Sequence, residues 1–398
     1  SGQSNMEFFI GKTRNRSYTG VHNYEDVIKD AEHPYIRQID VPNKVADDPQ
    51  ADFKGEWKTC TAKTIDTFSA VAYFFAREIN KATGFPVGII NATWGGTPAE
   101  SWTKKEVLQN DADLNEILVR YQKAVEAFPA ENEKYKTAFA KWREDTGSRK
   151  GAAPAAPMGP SHNKSPYKLY NGMIVPVQPY TIRGVIWYQG ESNADRAHQY
   201  RKLFPAMITN WRSDWKADKL PFYFVQISPH RSQNPEIRDA QLYTYRSVPH
   251  TGMAVTTDNG DSLDIHPRNK EVVGKRLSLW ALRNEYGQKD RVASGPLYKS
   301  MKVEGGKIRI LFDFDKGLAA KGDVLKEFTI AGADQQFVPA NAKIEGNTVV
   351  VWNEAVKAPA AVRFAWRHIP APNLYNGAHL PASPFRTDNW KVTTQNKN

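Results

Sequence analysis

The stretch Ser1-Gly2-Gln3-Ser4-Asn5-Met6-Glu7 places a serine just after a glycine, before any helix or strand has begun. Three later segments share its mixture of turn-forming and polar residues: Trp94–Thr97, Trp187–Asn193 and Asp264–Pro267. We hypothesise that the rest of the chain holds these four segments at one point.

Between the four segments, short apolar runs alternate with longer amphipathic ones. A helix is predicted to begin after Asp66 or Thr67, because apolar residues then recur at helical spacing until Gly84. Alternation of this kind predicts an α/β fold, with a parallel sheet covered by helices on both faces. The predicted strands are 86–90, 182–188, 220–227 and 252–257, and the further predicted helices are 200–215 and 271–286.

The pattern divides the chain into a catalytic domain, 1–291, and a β-rich C-terminal module, 292–398, in which short strands and turns follow one another. Residues 8–60 are predicted to be long loops. A charged helical insert is predicted at about 103–165, with a helical hairpin at 103–146 and a Pro/Ala linker at 151–160.

Composition limits the function classes. The 398 residues include 54 Lys and Arg against 43 Asp and Glu, a net charge of +11, which fits an anionic partner. The basic residues are scattered among acids, however, which indicates a solvated surface, so no nucleic-acid partner is predicted. The single Cys60 excludes an intrachain disulfide and a cysteine-based metal cluster. No apolar run reaches the roughly 18 residues of a membrane span.

Ligands of open α/β sheets bind outside the carboxyl ends of the strands, where three of the four segments are predicted to lie. A serine nucleophile there needs a base within hydrogen-bond reach, and His266 is the natural candidate for Ser4. In an extended segment Asp264 points to the same side as His266, so its carboxylate could orient the imidazole ring.

The same chemistry needs hydrogen-bond donors for a developing oxyanion. The candidates are the backbone N–H of Ser4, a backbone N–H at Gly95 or Gly96, and the side-chain amide of Gln189 or Asn193. Glycine suits this role because it lets a substrate approach the backbone closely.

Two other uses of these residues were weighed. A metal site at Asp264, His266 and Glu191 lacks a histidine pair at helical spacing, so neither a metal nor another cofactor is predicted. The chain is also rich in aromatic residues, with 11 Trp and 17 Tyr, and flat rings stack on sugars. The candidate substrate-binding residues are Trp94, Trp102, Tyr188 and Glu191.

Together, the motifs Ser1–Met6, Gly95–Trp102, Trp187–Asn193 and Asp264–Pro267 resemble the sialate O-acetylesterase branch of the SGNH hydrolases. That branch also contains bacterial acetylesterases that act on plant polysaccharides. The resemblance implies a flavodoxin-like three-layer hydrolase with Ser4 as nucleophile, His266 as base and no cofactor.

The chain departs from the wider superfamily at each motif. Gly-Asp-Ser is replaced by Gly2-Gln3-Ser4, and the acid stands two residues before His266 instead of three, where Leu263 stands. Asp261 is therefore the alternative orienting acid. The Gly-x-Asn-Asp block is replaced by 189–192, and Gln189 is preferred as the third oxyanion donor because an ionised Glu191 cannot donate.

The resemblance implies a serine esterase that removes O-acetyl groups from sugars, as a sialate O-acetylesterase or, alternatively, as an acetylxylan or other hemicellulose acetylesterase. A non-catalytic carbohydrate-binding protein is the remote alternative. A lipase or peptidase is disfavoured because Gly-x-Ser-x-Gly is absent. The arginines considered as partners for a sialic acid carboxylate are Arg183, Arg196, Arg268 and Arg386.

In the implied fold the nucleophile follows the first, central strand. We therefore expect an upstream segment of the same precursor to supply that strand, beside 182–188 or 86–90. Esterases of this branch are usually exported, so a secreted or periplasmic location is expected.

Overall fold

The computed structural model describes residues 1–13, 18–144 and 153–397. It has the predicted α/β class, with parallel strands in the first part of the chain and a β-rich C-terminal region. The strands of the first part are β1 (His33–Asp40), β2 (Lys58–Cys60), β3 (Val87–Asn91), β4 (Val185–Trp187), β5 (Phe222–Gln226) and β6 (Thr251–Val255). The α-helices are α1 (Ser4–Glu7), α2 (Tyr24–Lys29), α3 (Ala70–Thr83), α4 (Lys105–Gln109), α5 (Ala112–Glu144), α6 (Ala197–Asp214), α7 (Pro235–Ser247) and α8 (Lys270–Asn284). Short 3₁₀ or π turns are at Ile65–Thr67, Ala99–Trp102, Tyr170–Ile174, Val175–Val177 and Glu191–Arg196.

The parallel sheet consists of two halves. One half has the order β2-β1-β3 and the other β4-β5-β6, with β2 antiparallel to β1 and the other pairs parallel. Gly2 joins the halves, because it forms parallel bridges with both Thr93, after β3, and Tyr188, after β4. The opening segment (Ser1–Glu7) therefore lies between the carboxyl ends of the two halves.

Helices cover both faces of the sheet. On β5, Phe222 and Phe224 pack against Phe204 of α6, whereas the Tyr223 hydroxyl donates to Glu285, next to the end of α8. Successive strand residues point to opposite faces, so α6 and α8 lie on opposite sides. Helix α3 packs on α8, which places it on the α8 side.

Two predictions about the first 144 residues are corrected. Residues 8–60 contain the eight-residue strand β1, which the sequence analysis assigned to loops. The sequence of β1 does not show the apolar pattern of a strand, because one of its buried positions is the polar Gln38. The Gln38 amide donates to the Asp40 carboxylate and the Thr67 carbonyl. The predicted hairpin at 103–146 is instead the short α4 followed by the continuous 33-residue α5. Residues 145–152 of the predicted insert and linker lie outside the described residues.

The C-terminal region contains antiparallel sheets. Their strands are β7 (Leu297–Glu304), β8 (Lys307–Asp313), β9 (Ala319–Ala320), β10 (Phe328–Ala331), β11 (Val338–Pro339), β12 (Asn341–Glu345), β13 (Thr348–Trp352), β14 (Ala361–Phe364), β15 (Leu374–Tyr375) and β16 (Phe385–Arg386). The region packs on α7, where the Glu236 carboxylate accepts hydrogen bonds from Thr393 and Thr394. Among the described helices, none is both long and apolar enough to cross a membrane.

Candidate active site

The backbone of the opening segment fixes Ser4 at the carboxyl edge of the sheet. The Gln3 N–H donates to the Tyr188 carbonyl at 3.0 Å, and the Trp94 N–H donates to the Gly2 carbonyl at 3.1 Å. Gly2 has φ +140°, and a β-carbon there would lie 2.2 Å from the Tyr188 carbonyl oxygen. Only glycine fits at this crossing point. The chain then turns into α1, which begins at Ser4.

The structure brings Ser4 and His266 together across the sheet edge. Ser4 Oγ lies 2.8 Å from His266 Nε2, within hydrogen-bond distance. His266 belongs to the histidine loop (258–267), which follows β6. The ring of Tyr18 stacks on the imidazole with 4.8 Å between ring centroids. Sequence positions 262 residues apart thus form the geometry of a nucleophile and its base.

The surroundings of His266 keep its imidazole neutral. Burial, followed by the positive charge of Lys270, lowers the pKa of His266 from 6.5 to about 4. The negative charge of Asp264 acts in the opposite direction but is the smaller influence. At neutral pH the ring is therefore in the form that can accept a proton.

Neither candidate acid forms a hydrogen bond with the His266 ring in this structure. Asp264 Oδ1 lies 3.8 Å from Nδ1 and instead accepts the backbone N–H of His266 at 2.9 Å. Asp261 Oδ1 accepts the backbone N–H groups of Leu263 and Asp264, which shapes the turn. Both carboxylates organise the histidine loop, and Asp264 is the one that lies near the ring.

The predicted oxyanion donors separate into two groups. The Gly95 N–H donates to Glu7 Oε2 at 2.7 Å, the Gln189 amide donates to Thr97 and Asn193, and the Asn193 amide donates to Glu100. The donors of Gly95 and Gln189 are therefore engaged in this structure, as is one of the two N–H groups of the Asn193 amide, and the three residues stay predictions.

The backbone N–H groups of Ser4 and Gly96 form the second group. Within residues 1–13, 18–144 and 153–397, neither has an acceptor. Gly96 has φ +73°, and a β-carbon built there would meet nothing within 4 Å. These two backbone N–H groups are free to donate to an oxyanion in this structure.

A buried network connects the opening segment to the histidine loop. The Asn5 amide donates to Glu191 Oε1 at 2.6 Å and to the Ile265 carbonyl at 3.0 Å. Asn5 Oδ1 accepts from Lys270 Nζ at 2.5 Å. Burial lowers the pKa of Lys270 to about 7 and raises the pKa of Glu191. Asn5 thus fixes the backbone beside His266 to the helix that carries Ser4.

Glu7 makes a second connection within the site. Its Oε2 accepts from both the Gly95 N–H and the Tyr18 hydroxyl, the latter at 2.9 Å. Because Tyr18 stacks on His266, one carboxylate connects the glycine turn to the ring that supports the base. A side chain at Gly95 would collide with this arrangement, since its β-carbon would lie 2.7 Å from Tyr18 Oη.

The predicted aromatic sugar contacts are corrected in part. Trp102 and Tyr188 are completely buried, with Trp102 Nε1 bonded to Thr97 and the Tyr188 hydroxyl near Ser228. Neither ring can stack on a substrate. Trp94 is half-buried and stays a prediction, whereas Glu191 is bonded to Asn5.

The four arginine candidates lie in different surroundings. Arg183 donates to the Glu285 carbonyl, Arg196 pairs with Glu100 and Asp195, and Arg386 pairs with Asp239 and Asp388. Arg268 lies beside the histidine loop and donates to the carbonyls of Thr19 and Gly20. Of the four, Arg268 is the one whose positive charge helps to lower the pKa of His266.

The sequence analysis missed the supporting residues Gln3, Asn5, Glu7, Tyr18 and Lys270. Three of them stand in the opening segment itself, so adjacency to Ser4 was the available signal. Gln3 Oε1, for example, accepts the Ser192 N–H at 3.2 Å and so holds the turn after β4. No local pattern marked Tyr18 or Lys270, whose contacts depend on the tertiary fold.

The described residues contain no group of three or more His, Cys, Asp or Glu side chains placed to hold a metal ion.

Comparisons with known proteins show that this chain is similar to esterases. A family profile described as "Carbohydrate esterase, sialic acid-specific acetylesterase" matches residues 151–282. The structure is similar to that of a carbohydrate acetylesterase from Xanthomonas citri, with a TM-score of 0.80, 36% identity, and coverage of 98% of this chain and 79% of that one. Sialate O-acetylesterase from Rattus norvegicus is 29% identical over 97% of this chain and 76% of its own length. The Homo sapiens sialate O-acetylesterase is 26% identical, over 97% and 73%.

Proposed function

We propose that this chain, which belongs to the carbohydrate acetylesterases, removes O-acetyl groups from sialic acids with Ser4 as nucleophile. Family membership makes the protein an esterase. The observation that carries the proposed mechanism is the 2.8 Å distance between Ser4 Oγ and His266 Nε2.

The first half of the reaction transfers the acetyl group to the enzyme. Ser4 Oγ attacks the carbonyl carbon while its proton passes to His266 Nε2, which the lowered pKa keeps neutral beforehand. The N–H groups of Ser4 and Gly96 donate to the oxyanion of the tetrahedral intermediate. The sugar oxygen then takes the proton from His266 and leaves as an alcohol, so Ser4 carries an acetyl ester.

The second half regenerates the enzyme. Water gives a proton to His266 and attacks the acetyl carbonyl, and the same two N–H groups receive the oxyanion. Collapse of the intermediate breaks the bond to Ser4 Oγ, which recovers its proton from His266, and acetate is released. Asp264 stabilises the transient imidazolium through its charge at 3.8 Å.

Sialic acid as the substrate class is supported by the similarity to sialate O-acetylesterases. Arg268, beside the histidine loop, is the candidate partner for the sialic acid carboxylate.

Acetate release from Ser4→Ala tests the mechanism. With 4-nitrophenyl acetate as substrate, we expect a fall of at least about a thousandfold, because the variant has no nucleophile. The matched control is Ser247→Ala on α7, whose hydroxyl only donates to the Tyr243 carbonyl, and its rate should be unchanged. Near-normal turnover by a folded Ser4→Ala protein would remove Ser4 from the mechanism.

Substrate choice needs a separate measurement. Acetate release is followed in parallel on O-acetylated sialic acid, acetylated xylan and acetylated mannan. The proposal expects the highest kcat/KM on the sialic acid. Preference for xylan or mannan would keep the serine mechanism but assign the protein to hemicellulose.

A further inference from the structure

The loop that follows β5, residues 227–234, lies at the carboxyl edge of the sheet and is called the β5 loop below. Near its start, Ser228 Oγ donates to Thr256 Oγ1, just after β6, and lies 3.2 Å from the Tyr188 hydroxyl, just after β4. The loop is thus held between the segments that follow the two neighbouring strands. Ligands of parallel sheets bind at this edge.

The β5 loop also packs against the histidine loop. A β-carbon built on Gly260 would lie 2.6 Å from the Pro229 carbonyl oxygen, so the two backbones are in close contact. His230 is the next residue. Burial is the main cause of the lowered pKa of His266, and a proton on His230 lowers it further. His230 therefore lies close to the base of the candidate active site.

Hydrogen bonds at the His230 ring fix the position of its proton. The Ser232 backbone N–H donates to His230 Nδ1 at 3.1 Å, and the Ser232 hydroxyl lies 2.8 Å from the same atom. That hydroxyl oxygen accepts from the Gln233 amide at 3.2 Å, so its hydrogen is available for Nδ1. Because Nδ1 accepts hydrogen bonds, the neutral ring carries its proton on Nε2.

The Nε2–H group of His230 is a donor without an acceptor. The residue as a whole is buried, with 7% of its surface exposed. Among the residues that the structure describes, none accepts a hydrogen bond from Nε2, and this nitrogen is not enclosed, so its N–H reaches solvent. A buried ring with an open donor is preorganised to bind an acceptor, because it loses little side-chain freedom on binding.

We propose that His230 is a substrate-binding residue whose Nε2–H donates a hydrogen bond to an oxygen of the acetylated sugar. This inference rests on the proposed function and adds a contact on the alcohol side of the ester. Gly96, a candidate oxyanion donor, follows β3, whereas His230 follows β5, on the other side of the opening segment in the strand order. The acetyl oxygen and the sugar therefore meet different parts of the edge.

The test compares two esters that share the acetyl group and differ in the alcohol. One is the O-acetylated glycan that the original chain hydrolyses fastest among sialic acid, xylan and mannan. The other is 4-nitrophenyl acetate, which has no sugar. The measured quantity is the ratio of kcat/KM on the glycan to kcat/KM on the aryl ester, in which a general loss of folded enzyme cancels. His230→Gln keeps an amide N–H near the position of Nε2, whereas His230→Leu has no donor.

We expect His230→Leu to lower this ratio about tenfold, mainly through a higher KM on the glycan, because one hydrogen bond is lost. His230→Gln should retain the ratio within about threefold of the original. His368→Leu, at an exposed position after β14, is the control and should leave the ratio unchanged. An unchanged ratio in His230→Leu overturns the inference, as does an equal loss in the two His230 variants. If His230→Leu does not fold, His230→Phe, with a ring and no donor, takes its place.

The same measurements separate this inference from the proposed function. If the original chain hydrolyses 4-nitrophenyl acetate but none of the three glycans, the sugar substrate is wrong, and the role of His230 is wrong with it. If Ser4→Ala retains its activity, the serine mechanism is wrong, whereas the ratio still tests His230. If a glycan is hydrolysed and the ratio does not respond to His230→Leu, only the inference about His230 is wrong.

Discussion

The opening segment and the histidine loop each supply one member of the Ser4–His266 pair, but they are built differently. Ser4 is 6% exposed and its neighbours are held by backbone bonds to both halves of the sheet. The histidine loop lies largely at the surface, with Leu263 72% exposed. Ser4 is thus placed by the scaffold, whereas His266 is placed by contacts that come from other segments of the chain.

Most of those contacts come from the serine side. Asn5 holds the Ile265 carbonyl, and Glu7 holds Tyr18, which stacks on His266. Asp264, the acid on the loop itself, bonds only to the backbone of His266. The comparison teaches that one short segment can position both Ser4 and His266, with little dependence on a carboxylate as a third member.

The largest expected effect tests whether the loop contributes only its base. His266→Gln keeps a polar side chain but cannot accept the serine proton, so kcat on 4-nitrophenyl acetate should fall by about a thousandfold or more. His368→Gln, at an exposed position after β14, is the control and should leave kcat unchanged. Activity within tenfold of the original in His266→Gln would assign the base elsewhere.

The next effect tests whether Asn5 positions the histidine loop. Asn5→Ala removes the bonds to Ile265, Glu191 and Lys270, and kcat should fall about tenfold to a hundredfold as the ring loses its alignment. Asn376→Ala is the matched control, because Asn376 is similarly buried and its amide donates to two backbone carbonyls, those of Ser294 and Phe314. Both variants should lose thermal stability, but only Asn5→Ala should lose kcat. Equal kcat in the two would make Asn5 merely structural.

A third effect concerns pH. Burial brings the pKa of Lys270 to about 7, so Lys270 is charged where His266 titrates, at about 4. Its charge opposes protonation of the ring, so Lys270→Met should raise the pKa of His266. The acid limb of kcat/KM, where neutral base is lost as pH falls, should then move to higher pH. Lys168→Met, which removes a buried lysine paired with Asp47, should leave the limb in place. A limb that does not move would mean that the charge of Lys270 does not contribute to the lowered pKa of His266.

The smallest effect is expected at Asp264. At 3.8 Å from Nδ1, on a half-exposed side chain, the carboxylate acts through a screened charge, so Asp264→Asn should lower kcat by less than about tenfold. The amide oxygen can still accept the His266 N–H. Asp261→Asn, which retains an acceptor for the turn, provides the comparison. A thousandfold loss in Asp264→Asn alone would show that the acid contacts the ring during the reaction.

Much of the architecture could be predicted because its signals are local. Apolar runs indicated β3, β5 and β6, and the helical spacing after Phe68 together with Gly84 indicated α3. The strand β1 was missed because its buried Gln38 is satisfied by tertiary bonds that no short window contains. Helix α5 was predicted as a helical hairpin because its many charged residues do not show whether the helix continues or is interrupted by a turn.

The site was predictable at the level of motifs but not of individual donors. The topology rule placed the segments that contain Gly95, Gln189 and His266 at one edge, since each follows a predicted strand of a parallel sheet. The need of a serine nucleophile for a base then paired His266 with Ser4. Hydrogen bonding of the Gln189 and Asn193 amides depends on the loop at Thr97–Glu100, which no sequence pattern specified. Burial of Trp102 and Tyr188 was hidden for a similar reason, because an aromatic residue next to a motif packs as readily inward as outward.

The two β-bridges of Gly2 also make the position of Ser4 depend on how the two halves of the sheet are aligned. One glycine is registered against both halves of the sheet, and the nucleophile follows it two positions later. A small slide of one half against the other would carry Ser4 away from His266 while every helix stayed folded. The rate of hydrolysis is therefore more sensitive than helix content to the relative position of the two halves. On warming, we expect the activity to be lost before the helices unfold.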